Sequence, residues 1–86
     1  MVSKKVTILN ETGLHARPAA QFSQFCKNYE EKIIISGNGK ETDPKSIIQL
    51  MAAGLKKGTE VEVKVEGENE SKVCDEVVSF IENLKE

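Results

Sequence analysis

This 86-residue chain has little of what metal and redox chemistry needs: one histidine and two cysteines. The cysteines, Cys26 and Cys74, lie far apart and form no CxxC pair, so with a lone histidine they make a poor metal-ligand set. Each falls in a helical pattern, which predicts reduced thiols packed in the core of an intracellular protein. No apolar run approaches the roughly 20 residues that cross a bilayer. The opening Met1-Val2-Ser3-Lys4-Lys5 lacks the apolar stretch and cleavage site of a signal peptide, so a cytoplasmic location is expected. Without export, the glycosylation patterns at Asn10-Glu11-Thr12 and Asn69-Glu70-Ser71 are idle. There is no basic excess either. Twelve Lys and Arg against 14 Asp and Glu leave a net charge of -2, which argues against nucleic acid as the main partner. Linkers, repeats and low-complexity segments are also missing. A chain that is 38% hydrophobic and 30% charged is an ordinary soluble composition, and residues 1–86 are expected to form one domain with a modest core.

The hydrophobic periodicity supplies the elements. Residues 2–9 alternate, with Val2, Lys4, Val6 and Ile8 on one face, although Lys4 is out of place there. Asn10-Glu11-Thr12-Gly13 breaks the strand. From Ala16 to about Lys27 the period becomes helical, through Ala19, Phe22, Cys26 and Tyr29, and Pro18 suits a first helical turn. Ile33-Ile34-Ile35 reads as a strand over Lys32–Ser36, turned by Gly37-Asn38-Gly39 into a short strand near Lys40–Thr42. Asp43-Pro44-Lys45-Ser46 is a turn, and Ser46 is a good N-cap for a short helix through Met51, ended near Gly54. Thr59 to Glu66 alternates cleanly, with Val61, Val63 and Val65 inside and charges outside. One sheet face is therefore wet. Asn69 or Ser71 can cap a last helix with the stripe Val73, Val77, Phe80, Ile81 and Leu84. The order β-α-β-β-α-β-α with one polar sheet face predicts an α+β open-faced sandwich.

The single histidine sits in the most unusual stretch, Gly13-Leu14-His15-Ala16-Arg17-Pro18-Ala19-Ala20. A strand ends before it and a helix starts within it. A helix N-terminus offers unpaired N–H groups and the positive end of the helix dipole, and both favour a phosphate. The same field disfavours imidazolium and keeps the ring a neutral nucleophile, able to hold a phosphoryl group as a phosphoramidate. Arg17 can neutralise the phosphoryl oxygens, and Gly13 permits a sharp turn before the ring. By spacing alone, a surface or capping histidine fits equally well.

The stretch GLHARPAA at 13–20 resembles the active-site signature of the HPr family, the histidine-containing phosphocarriers of the bacterial sugar phosphotransferase system. A second stretch, Gly39-Lys40 and then Lys45-Ser46-Ile47-Ile48-Gln49-Leu50-Met51, resembles that family's regulatory-serine signature at the matching separation. The resemblance implies a four-stranded antiparallel sheet with three helices on one face. It implies that His15 accepts phosphate on Nδ1 from enzyme I, charged by phosphoenolpyruvate, with Ala16 and Arg17 at the phosphoryl group. The group then passes to the IIA domains of sugar permeases. Neither cofactor nor metal is implied, and a monomeric carrier rather than a stand-alone enzyme is expected.

A short helix cannot bury Ile47, Ile48 and Met51 together, so these residues, with Ala20 and Gln24, are expected to form a docking patch beside His15. Plain core positions for Ile47 and Leu50 are the alternative. Ser46 needs no role beyond its cap. The resemblance adds one: in many Gram-positive relatives this serine is phosphorylated by HPr kinase/phosphorylase, and the phosphoserine form is a corepressor for a catabolite-control transcription factor. Gln49, where glycine is common, Ala52-Ala53-Gly54 in place of a more usual Ser-Leu-Gly, and Pro44 depart from the family pattern. Three other readings stay open. They are a carrier for the nitrogen-related branch, a regulatory module without phosphoryl transfer, and a generic α+β interaction domain.

Overall fold

The computed structural model describes residues 1–11, 13, 14 and 16–84, and the side chain of Ala16 lies outside that description. Seven elements follow in order: β1 (Val2–Thr7), α1 (Ala16–Cys26), β2 (Lys32–Gly37), β3 (Lys40–Thr42), α2 (Ile47–Ala52), β4 (Glu60–Glu66) and α3 (Glu70–Glu82). The strands form one antiparallel sheet in the order β1-β4-β2-β3, so β4 is inserted between the first two strands. In that central position the alternation of β4 has its fullest effect. Val61, Val63 and Val65 are each at most 1% exposed and face Ile33, Ile35, Val6 and Ile8 in one core.

The other sheet face is a charge lattice. Lys5 stands opposite Glu62 and Lys32 opposite Glu66, while Lys64 Nζ lies 3.1 Å from Glu41 Oε2. Opposite charges across strands stabilise each pair by a fraction of a kcal/mol, about 0.2–1.

The β2–β3 hairpin closes through Asn38-Gly39, with φ of 52° and 75°, because Gly37 pairs directly with Lys40. Two positive φ angles are what a right-twisted two-residue hairpin requires, and Asn-Gly tolerates both.

The strand expected over 2–9 ends at Thr7. Ile8 continues the backbone pairing with Thr59, while Leu9 turns out to solvent. Lys4, placed among apolar residues by the alternation, escapes burial at the sheet edge and pairs with Asp75 of α3. That ion pair raises the Lys4 ammonium above its ordinary pKa, through the hydrogen bond to Asp75 first and its charge second.

α3 lies over β1 and β4. Its buried stripe is Val73, Cys74, Val77 and Ile81, whereas Phe80 and Leu84 are only half-buried. Asn69 occupies the N-cap position without a side-chain capping bond, and Ser71 lies inside the helix. Carboxylates brace the chain just ahead of the helix: Glu31 Oε2 accepts from Asn69 N at 3.2 Å, and Glu70 Oε2 accepts from Gly67 N at 3.3 Å.

α1 is joined to α3 by rings. Phe80 stacks on Phe25 at 4.4 Å and on Phe22 at 5.7 Å, and Tyr29 meets Phe25 edge-on. Phe22 is fully buried, worth about 1.5–3 kcal/mol by area alone. Both cysteines are free, buried thiols. Burial pushes Cys26 up to about 12, so it is inert near neutrality.

Candidate functional site

The loop ahead of α1 is built by close packing. Gly13 has φ +67°, and a Cβ there would stand 2.3 Å from Leu55 O. Only glycine allows the two backbones to approach so closely. Leu14 is 1% exposed, and its amide donates to Leu55 O at 2.8 Å. α1 begins at Ala16 and has no acidic residue in its first turn, so nothing there opposes an anion. His15 lies outside the described residues, though both of its covalent neighbours are placed. Arg17 is exposed on the first turn of α1.

The expected docking residues divide cleanly. Ile48 is 78% exposed, and Ile47 and Met51 are 37% and 40% exposed, whereas Leu50 is completely buried. The core alternative therefore holds for Leu50 and fails for Ile47. α2 packs against α1, where Gln24 is exposed and Ala20 half-buried. A shallow groove runs from Ala20, Gln21 and Gln24 to Phe25, Asn28 and Phe80. The C-terminal end of α2 runs through Gly54 into Leu55, the residue that holds Leu14. The apolar patch and the loop before residue 15 are thus joined by backbone.

Ser46 caps α2 as expected: its Oγ accepts from Gln49 N at 3.3 Å. Gln49 then reaches back, its Oε1 accepting from Asp43 N at 3.0 Å. Asp43 itself accepts twice, from Ser46 N at its carbonyl and from Lys45 N at Oδ1. A capping box would have Gln49 accept from Ser46 N; here it accepts from Asp43 N, at the head of the turn, instead. The Ser46-x-x-Gln49 spacing was visible in the sequence as a start signal. With Asp first and Pro44 second, the turn also has residues suited to its positions. Gln49, a departure from the family's glycine, therefore pins the turn that carries Ser46.

Lys45 points inward. Its ammonium donates to the carbonyls of Tyr29 at 2.7 Å and Glu31 at 3.0 Å, and its own carbonyl accepts from the buried hydroxyl of Ser23. Periodicity gave no hint of this clamp, because a lysine in a polar turn reads as solvated.

No helix among the described residues is long and apolar enough to cross a membrane. A small sandwich with a rigid turn feeding a helix start, and an exposed apolar helix beside it, is the build of a docking carrier. The comparisons with known proteins agree. The family profile described as PTS-HPr, "PTS HPr component phosphorylation site", matches residues 2–83. The phosphocarrier protein HPr of Vibrio cholerae is 38% identical over 98% of this chain and 99% of its own length. The HPr-like protein Crh of Halalkalibacterium halodurans is 37% identical, over 95% of this chain and 98% of that protein. The crystal structure of HPr-C-His from Thermoanaerobacter tengcongensis superposes with a TM-score of 0.89 at 35% identity, covering 95% of this chain and 92% of that one. The chain belongs to the HPr family, the phosphocarrier proteins of the phosphotransferase system. Its partners accordingly belong to that system.

Proposed function

We propose that His15 is the phosphoryl acceptor and that Arg17 and the backbone at Ala16 hold the phosphoryl oxygens. The neutral imidazole Nδ1 attacks phosphorus on charged enzyme I. The N–P bond forms as the donor's bond to phosphorus breaks, and the reverse exchange passes the group to an IIA domain. Arg17 meets the doubly charged product as a fixed cation. A carrier gains nothing by holding phosphate too tightly, since binding the intermediate and the transition state equally gives no rate advantage. One arginine at an open helix start suits that demand. Residues 1–86 act as one monomeric domain in the cytoplasm.

Ile47, Ile48, Met51, Ala20 and Gln24 form the patch on which enzyme I and IIA domains alternate. The observation that carries the reading is the exposure of this apolar helix, joined through Leu55 to the fixed turn before residue 15. The test is incubation with enzyme I and phosphoenolpyruvate, then intact mass at neutral and acid pH, beside His15→Ala. One acid-labile phosphate, absent from the variant, is expected. No addition, with an enzyme I active on another HPr, would move the chain to the regulatory-module reading.

A second reading concerns Ser46, whose half-buried hydroxyl sits in a pinned turn beside the same patch. HPr kinase/phosphorylase would transfer the γ-phosphoryl of ATP to Oγ, releasing ADP. The added charge of about -2 would repel an acidic partner from the patch. The phosphoserine form would then serve a catabolite-control transcription factor. Incubation with that kinase and ATP, giving an acid-stable phosphate lost in Ser46→Ala, tests it.

A further inference from the structure

We propose that Asn10 is a positioning residue for phosphoryl transfer, acting through the backbone of Gly13 and Leu14. The inference rests on the carrier reading of His15.

Asn10 is a polar side chain only 7% exposed. Burying an amide is costly unless it is hydrogen-bonded, so its partner matters. Its Nδ2 donates to Gly13 O at 2.7 Å, while Gly13 N donates to Asn10 O at 3.1 Å. These reciprocal bonds close residues 10–13 into a turn that the side chain itself completes. The far side of the same backbone is fixed too. Gly13 is pressed on Leu55 and Lys56, the Leu14 amide bonds Leu55 O, and the Leu14 side chain fills the core.

Residue 15 is therefore entered from a backbone held on both flanks and left into the first turn of α1. Among the described residues, the Asn10 side chain adds to these backbone restraints a bond that ends on Gly13, two residues before the acceptor. A nucleophile presented in turn to two partners gains rate when its approach is set beforehand, and small displacements are expensive. Asn10 bonds the backbone of Gly13, so its effect is on how that approach is held.

The experiment compares Asn10→Ala, Asn10→Asp and Val77→Ala with the parent chain. Val77 is completely buried in α3, and its truncation lowers stability without touching the turn. Amide exchange at Leu14 reads the positioning without any phosphoryl chemistry. Both Asn10 variants are expected to speed that exchange while α3 amides keep their protection, since an aspartate preserves the volume but cannot donate. Transfer from charged enzyme I should show kcat lowered about tenfold with KM unchanged. Val77→Ala should move neither readout.

A kcat within about twofold of the parent in both Asn10 variants overturns the proposal. So does a loss that Val77→Ala reproduces at equal destabilisation. If Asn10→Ala does not fold, Asn10→Asp decides alone. If the parent chain takes no phosphate, the carrier reading fails and the positioning role of Asn10 falls with it. Leu14 exchange would then report only a brace.

Discussion

α2 and α3 solve opposite problems with the same kind of residue. The 13-residue α3 lies along β1 and β4, and Val73, Cys74, Val77 and Ile81 all reach the core. The six-residue α2 sends only Leu50 inward and leaves Ile47, Ile48 and Met51 in water. About two further turns of periodic sequence give α3 enough apolar stripe to be held by tertiary packing, which is where most helix stability originates. α2 is too short for that and depends on its capped turn, with Ser46, Gln49 and Asp43 bonded to one another. One helix secures the sheet. The other keeps surplus apolar surface available.

The largest break in this comparison should come inside α2 itself. Leu50→Ala should cost about 2–5 kcal/mol in a urea titration, as a core truncation does on α3. Next come two glycines at either end of the link between α2 and the residue 15 loop. Both have positive φ, +67° at Gly13 and +65° at Gly54, but only Gly13 lacks room for a Cβ. Gly13→Ala should cost about 2–4 kcal/mol, from backbone strain plus overpacking. Gly54→Ala should cost about 1–2 kcal/mol from strain alone. Equal losses in thermal unfolding would show that the contact with Leu55 is not limiting.

The alkaline limb of stability should belong to α1 and the turn that follows it, since α2 has no titratable side chain. Burial pushes the Cys26 thiol from 9.0 up to about 12. Burial, then the bond to Glu76, raises the Tyr29 hydroxyl from 10.0 to about 12. Both folded values lie above the unfolded ones, so their stabilisation is complete below pH 9 and is lost as pH rises from 9 toward 12. Urea midpoints should fall across that window, and Tyr29→Phe should flatten the part above pH 10. The smallest effect on folding is expected at Ile48. Ile48→Ala should change stability by less than about 0.5 kcal/mol. Its effect should instead appear as a raised KM for enzyme I, and an unchanged KM would remove Ile48 from the patch.

Much of the fold was legible where local chemistry and tertiary demand agree. The alternation of β4, the Asn38-Gly39 hairpin and the Ser46 cap all formed at the expected positions. Ser46-x-x-Gln49 carries a helix-start spacing as well, although Gln49 departs from the family pattern. In the sequence Asn10 marks only a strand break. Its bond to Gly13 O depends on a turn that closes only when the loop is pressed on Leu55. Asn69 takes the N-cap position without a side-chain bond, and its amide is held instead by Glu31 from a distant segment.

The sequence by itself determined the order of elements, the two sheet faces and the GLHARPAA and Ser46 motifs, because these rest on period, turn chemistry and neighbours close along the chain. Only the tertiary structure decided that β4 lies between β1 and β2, that Lys4 reaches Asp75, that Lys45 serves the carbonyls of Tyr29 and Glu31, and that Leu50 rather than Ile47 enters the core. Each of these depends on which distant surface covers a residue, and that is fixed by how the layers pack rather than by any local pattern.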